Sequence, residues 1–247
     1  MPDRRALARR AIALIDLTDL SDAPTPADID RLCARAAAAG TAAVCVWPRF
    51  VRRCAGAGVR VATVVNFPAG GEDVGATVAE TAAALDDGAA EIDLVLPYRA
   101  FLDGRIADAA AMVSAVRAAV AEPAHLKVIL ESGGYPSLDH VRAAARLAVE
   151  HGADFVKTST GKTATSATIA ASVMILDAIR TSGRPVGFKP SGGIRTLDEA
   201  ALFLAVADEM MGPGWATPAT FRFGASGLLD ALESEAEAAD GSARPVG

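Results

Sequence analysis

Lysine is scarce in this 247-residue chain: four of its 24 basic residues are lysine, and the other 20 are arginine. Aromatic residues are scarce too, at 5% against 51% hydrophobic residues in all, so the core has to be built from aliphatic side chains and alanine. Cysteine occurs three times, at Cys33, Cys45 and Cys54. An odd number without metal-ligand spacing gives no disulfide framework and points to a reducing, cytoplasmic setting. No run of 18 uncharged apolar residues is present, so no membrane-spanning helix is expected. The basic start, MPDRRALARR, leads into an apolar run broken by Asp16 and Asp19, which makes a poor signal peptide. A net charge of −6 leaves no basic stripe for nucleic acid, although a local anion site stays open.

What is present is alternation. Short apolar runs at Ile12–Asp16, Ala42–Val46, Val59–Asn66, Glu91–Leu96, Leu126–Glu131, Phe155–Thr158, Val186–Lys189 and Phe221–Gly224 read as strands. Between them, alanine-rich amphipathic segments near 26–39, 48–57, 73–87, 107–121, 138–150, 166–181 and 197–208 read as helices, with a last one near 227–234. Thr25-Pro26, Ser137 and Thr196 are helix-start signals, and Gly40, Gly58, Gly88 and Gly152 are helix stops. Eight strand–helix units of about thirty residues imply parallel strands with right-handed crossovers. The length suits one closed (β/α)₈ TIM barrel over 1–232, and no glycine fingerprint follows the first strand to favour an open dinucleotide-binding sheet. Residues 233–247, ESEAEAADGSARPVG, are expected to be a disordered polar tail.

In such barrels the chemistry lies at the C-terminal strand ends. The polar residues read there are Asp16, Cys45, Asn66, Asp93, Glu131, Lys157 and Lys189, followed by 224–226. Scarce lysine by itself reflects a GC-rich genome as readily as a function. Position makes the difference: Lys157 and Lys189 end neighbouring strands and face one space. Arginine matches lysine as a charge but cannot act as a nucleophilic amine. A like charge and burial both favour the neutral amine, so the pair reads as one nucleophile and one electrostatic activator. Asp93, on the interior side of its strand, suits a proton relay. Asp16 suits a substrate hydroxyl or the same relay, and either carboxylate has the alternative role of a structural partner to the lysines. Ser191-Gly192-Gly193-Ile194-Arg195 and Gly224-Ala225-Ser226-Gly227 follow the last two strands. Glycine-rich loops there, with a helix start after the second, suit a phosphate. Thr160-Gly161-Lys162 adds further donors. His125, His140 and His151 sit away from that end, so no metal or other cofactor is expected.

These segments resemble the deoxyribose-phosphate aldolase family. The resemblance rests on Val156-Lys157-Thr158-Ser159-Thr160-Gly161-Lys162 and on Gly187-Phe188-Lys189-Pro190-Ser191-Gly192-Gly193-Ile194-Arg195-Thr196. Glu91-Ile92-Asp93-Leu94-Val95, Ile15-Asp16-Leu17-Thr18, Ala43-Val44-Cys45-Val46-Trp47-Pro48-Arg49, Val65-Asn66-Phe67-Pro68 and Arg222-Phe223-Gly224-Ala225-Ser226 are also similar, so that residues 12–232 are covered. The resemblance implies a metal-independent, Schiff-base aldolase that reversibly cleaves 2-deoxy-D-ribose 5-phosphate to D-glyceraldehyde 3-phosphate and acetaldehyde. It assigns the imine to Lys157, its activation to Lys189, and proton transfer through a water to Asp93, beside the catalytic place read above for Asp16. Thr18, Cys45, Thr158 and Lys162 would meet substrate, and Gly161, Gly192, Gly193, Gly224 and Ser226 the phosphate. A homodimer is expected. The chain departs from the family at two places. Ser226-Gly227 stands where many members have two serines, and the tail carries no tyrosine, so proton transfer assisted by a tail tyrosine is not expected. The competing readings are another Schiff-base barrel aldolase or transaldolase, and a non-catalytic phosphosugar-binding barrel.

Overall fold

Side chains alternate across every strand, so one face of each is apolar and packs outward against helices while the other points into the barrel. The computed structural model describes residues 3–237. Its strands are β1 (Ile15–Asp19), β2 (Ala43–Val46), β3 (Arg60–Val65), β4 (Glu91–Val95), β5 (His125–Ile129), β6 (Phe155–Lys157), β7 (Gly187–Lys189) and β8 (Phe223–Ala225). The helices are α1 (Arg4–Ile12), α2 (Pro26–Ala39), α3 (Val51–Cys54), α4 (Val74–Asp86), α5 (Tyr98–Leu102), α6 (Ile106–Ala119), α7 (Leu138–Glu150), α8 (Ile169–Ser182), α9 (Leu197–Met211) and α10 (Leu228–Glu237). All strand pairs are parallel, in the order β7-β6-β5-β4-β3-β2-β1-β8. The ring closes between β7 and the chain entering β8, where the Phe188 N–H donates to Thr220 O (2.8 Å) and the Gly224 N–H to Pro190 O (3.0 Å). This is the expected (β/α)₈ barrel.

The main core is a shell between strands and helices that includes Ile15, Leu17, Val44, Ile92, Leu94, Leu126, Val128, Val156 and Phe188. Every second residue of the same strands points the other way. In this barrel, where branched aliphatics usually fill such inward positions, six of them are charged and buried, namely Asp16, Glu91, Asp93, Lys127, Lys157 and Lys189, and Arg222 just before β8 is buried with them. A smaller apolar cluster of Leu20, Cys45, Ala62 and Val64 fills the rest of the β1–β3 side.

Several boundaries differ from expectation. The first strand lies three residues later than read, at Ile15–Asp19, because Ile12 closes α1. The run Ala11-Ile12-Ala13-Leu14-Ile15 is apolar across a helix–strand junction, and periodicity cannot divide it. Asp16 is therefore the second residue of β1, deep in the barrel and beside Gly224, not at the strand's C-terminal end. Asp93 is likewise the middle residue of β4. Helix α1 went unread: Asp3 caps it through the Arg5 N–H, and its Arg4 and Arg10 pair with Glu235 and Asp208. Thr25 and Thr196 form full capping boxes with Asp28 and Glu199, whereas Ser137 makes no cap bond and meets His140 Nδ1 instead. Residues 233–237, expected to begin a disordered tail, continue α10, where Arg35 pairs with Glu233. The rest of that expected tail lies outside the described residues.

Candidate active site

Five strands bring their charged residues to one point. Lys157 and Lys189 are the last residues of β6 and β7 and lie in register. Asp93 on β4 reaches both: its Oδ2 accepts from Lys157 Nζ and from Lys189 Nζ, each at 2.8 Å. Its Oδ1 accepts from Lys127 Nζ at 2.9 Å. Asp16 accepts from Lys189 at 2.5 Å through Oδ2 and from Arg222 Nη1 at 2.6 Å through Oδ1. Glu91 accepts from Lys127 at 2.5 Å and from Arg222 Nη2 at 2.9 Å. Removing such ions from water costs on the order of several kcal/mol each, and only their mutual pairing offsets that cost.

The four lysines now separate. Burial would lower the proton affinity of Lys189, but Asp16 and Asp93 outweigh it and raise its pKa above the usual lysine value. The same balance of burial against Asp93, Glu91 and Asp16 raises Lys127. Lys157 goes the other way. Burial is the largest cause, Asp93 opposes it, Lys189 adds to it, and the net pKa is lowered. Burial also pushes the Asp93 carboxyl up, but Lys127, Lys157 and Lys189 prevail and hold it well below the usual carboxylate range. Lys189 thus contributes to the depression at Lys157 in the expected direction, second to burial. The Lys157 side chain keeps 3% of its surface exposed while those of Lys189 and Lys127 keep none, so of these three buried lysines Lys157 alone offers a carbonyl any approach; Lys162 is the exposed fourth.

Above these ions lies a cavity of about 330 Å³ whose walls include Thr18, Lys162, Arg195 and Ser226. Its glycines are Gly161, Gly192, Gly193, Gly224 and Gly227, and α10 starts directly after the last of them. Glycine at 192 is required twice over: φ is +86°, and a Cβ there would stand 2.6 Å from Ser166 Oγ. At 224 a Cβ would collide with Ser191 and come 3.0 Å from Lys189 Cε, so this glycine makes room for the second lysine. The convergence of glycine loops with a helix start fits an anion. Lys162 Nζ donates to Asp22 Oδ1 at 3.2 Å across the cavity mouth.

Two expected substrate contacts lie elsewhere. Thr158 is fully buried below the cavity, its Oγ1 donating to Ser191 O and accepting from the Ser191 N–H, which ties β6 to the loop after β7. Cys45 is fully buried against Leu20, Ala62 and Val64, and burial raises its thiol pKa. The remaining expected residues are brought together, with Thr18, Lys162 and the phosphate-loop positions around the cavity and Asp16, Asp93, Lys157 and Lys189 beneath it. The unforeseen members are Lys127, Glu91 and Arg222, whose inward side at period two from Ile129, Asp93 and Gly224 was the available signal. Glu131 is another. It is buried with φ 58°, and its carboxylate accepts from Thr160 Oγ1 at 2.5 Å and Thr163 Oγ1 at 3.1 Å, clamping the loop that carries Gly161 and Lys162. Among the described residues, no group of three or more His, Cys, Asp or Glu is placed to hold a metal ion.

An Agrobacterium fabrum protein named deoxyribose-phosphate aldolase is 51% identical over 233 residues, spanning 92% of this chain and 90% of its own. Two crystal structures carrying the same name provisionally are similar in shape. That from Toxoplasma gondii has a TM-score of 0.87 at 30% identity, covering 96% of this chain and 97% of its own. That from Coccidioides immitis has a TM-score of 0.82 at 32% identity, covering 92% and 86%. Residues 10–233 match the profile of the DeoC/LacD family aldolases, and the chain belongs to that family.

Proposed function

We propose that the chain catalyses the reversible cleavage of 2-deoxy-D-ribose 5-phosphate to D-glyceraldehyde 3-phosphate and acetaldehyde, with Lys157 as the amine that forms the imine. The observation that carries this reading is the divergence of the lysines: burial and Lys189 favour a neutral Lys157, while Lys127 and Lys189 are held as ammonium. The neutral amine adds to the C1 carbonyl and water leaves. The protonated imine then withdraws electrons as the C3 hydroxyl loses its proton and the C2–C3 bond breaks, releasing glyceraldehyde 3-phosphate. The enamine left on Lys157 takes a proton at C2, and water hydrolyses the resulting imine to acetaldehyde and free amine. Asp93 and Lys189, in contact with each other and beside Lys157, are the groups suited to move these protons, with Asp16 behind them. Lys162 and Thr18, on the cavity wall, suit the sugar hydroxyls, and the glycine loops with Ser226 suit the phosphate.

The A. fabrum relative's name supports this substrate over that of a transaldolase. The intact Lys157–Asp93–Lys189 contacts support turnover over mere sugar binding. The reading extends to a homodimer in the cytoplasm, checked by light scattering on the purified protein and by cell fractionation. Among the described residues, no helix is long and apolar enough to cross a membrane. Coupled detection of glyceraldehyde 3-phosphate from deoxyribose 5-phosphate tests the activity: steady production supports it, and none from folded protein rejects it.

A further inference from the structure

Beneath the reacting lysine, the buried ions do not balance: three carboxylates (Asp16, Glu91, Asp93) face four cations (Lys127, Lys157, Lys189, Arg222). Lys127 Nζ lies within 3.4 Å of all three carboxylates. Lys189 contacts two, Asp16 and Asp93, and Arg222 also contacts two, Asp16 and Glu91. Lys157 contacts a single oxygen, Asp93 Oδ2, already shared with Lys189. In a dry interior a surplus positive charge is expelled from the site with the fewest counterions. Arginine cannot be the group that gives it up, since its guanidinium stays protonated. The surplus therefore falls on a lysine, and Lys157 is the least supported of the three.

We propose that Arg222 and Glu91 are positioning residues for the reaction, a salt-bridged pair that occupies Asp16 and Lys127 so that the Lys157 amine is left with only a share in one carboxylate oxygen. Neither residue touches Lys157. Arg222 acts through Asp16 and Lys189, and Glu91 acts through Lys127 and Asp93. The guanidinium is held for this role: Nη1 and Nη2 grip Asp16 and Glu91, Nε donates to Pro218 O at 2.5 Å, and the group lies 5.6 Å over the Phe155 ring. Glu91 also meets the half-exposed Arg60 at 3.1 Å and faces His125 Nδ1 at 4.0 Å. The titratable groups that bear on Lys157 are Asp93 on β4, Lys189 on β7 and Cys45 on β2. Lys127 on β5 and Asp16 on β1 lie one contact further away.

This inference rests on Lys157 as the nucleophile proposed above, and the same experiment separates the two. The probe is acetaldehyde with borohydride, reading the rate of reduced-adduct formation against pH with the adduct mapped by peptide. An adduct away from Lys157 in the unaltered protein overturns the nucleophile assignment whatever the variants do. With the adduct on Lys157, Arg222→Met removes the unreleasable cation and restores balance. Its trapping midpoint should move alkaline by about one pH unit, roughly a tenfold loss of amine below the midpoint. Glu91→Gln removes a counterion and should move the midpoint to lower pH. Arg222→Lys should recover part of the Arg222→Met displacement. Arg60→Met, at a half-exposed position, should move the midpoint alkaline by less. Opposite displacements for the Arg222 and Glu91 variants support the proposal. Midpoints that stay fixed or move together in natively folded variants, as a purely structural pair would give, overturn it. If Arg222→Met does not fold, Glu91→Gln and Arg60→Met decide by the same rule.

Discussion

Lys157 and Lys189 end adjacent strands in register, and their two Nζ atoms share one carboxylate oxygen, Oδ2 of Asp93, at 2.8 Å each. Equal contacts produce unequal lysines because Lys189 has a second carboxylate partner in Asp16, while Lys157 has none among the described residues. The pKa of one amine is thereby lowered and that of the other raised.

Lys189→Met should shift the reaction in a defined direction. Removing the ammonium removes a cause that lowers Lys157, so the pKa of Lys157 rises toward the ordinary lysine value. The neutral amine exists above that pKa, so the rising limb of the pH–rate profile moves alkaline. Each unit gained costs about a tenfold loss of amine at a fixed lower pH. Because burial is the larger cause, the shift should be partial, and Lys189→Arg should retain more of the depression. A profile that stays in place while turnover vanishes would show that Lys189 serves only to handle protons or substrate.

Glu131→Ala should loosen the substrate loop without harming the imine chemistry. The variant loses the acceptor that holds Thr160 and Thr163, bonds worth about 1.5–3 kcal/mol when one partner is charged. KM for the phosphorylated sugar should rise roughly tenfold or more on that basis, at the 1.4 kcal/mol per decade of binding. The trapping rate with acetaldehyde, which has no phosphate, should change little. Equal losses in both assays would place Glu131 in the chemistry itself.

Gly227→Ser should improve phosphate capture. A Cβ at 227 meets nothing within 4 Å, and the position lines the cavity at the start of α10. A hydroxyl there can donate to the phosphate proposed to lie beside Ser226. A charge-assisted bond at a partly exposed site gives an expected two- to tenfold, or about 0.4–1.4 kcal/mol, fall in KM for deoxyribose 5-phosphate. Unphosphorylated deoxyribose should show no such gain, and its absence with both substrates would remove the phosphate from this end of the cavity.

The barrel and the two lysines were legible because both depend on short-range pattern. Strand–helix alternation repeats eight times, and Lys157 and Lys189 end apolar runs where solvent-facing lysines have no reason to be. Asp16 was the right residue at the wrong depth, since Ile12 belongs to α1 and nothing in Ala11–Ile15 marks where helix gives way to strand. Glu91, Lys127 and Arg222 were missed for a different reason. They sit lower in the barrel than the strand ends, and their burial depends on partners 34 to 206 residues away. Such pairing is a property of closure, which no local window contains. Thr158 illustrates the converse: its neighbours in sequence place it at the site, but its hydroxyl is engaged by Ser191.

The central claim is that Lys157 carries the imine, and the most direct test is to trap it. The protein is incubated with acetaldehyde and borohydride at neutral pH, digested, and mapped by mass spectrometry. Irreversible inactivation with a reduced ethyl adduct on Lys157, and none of comparable yield on Lys127, Lys162 or Lys189, is the predicted result. An adduct mainly on one of those three lysines, or full activity after reduction, would contradict the account.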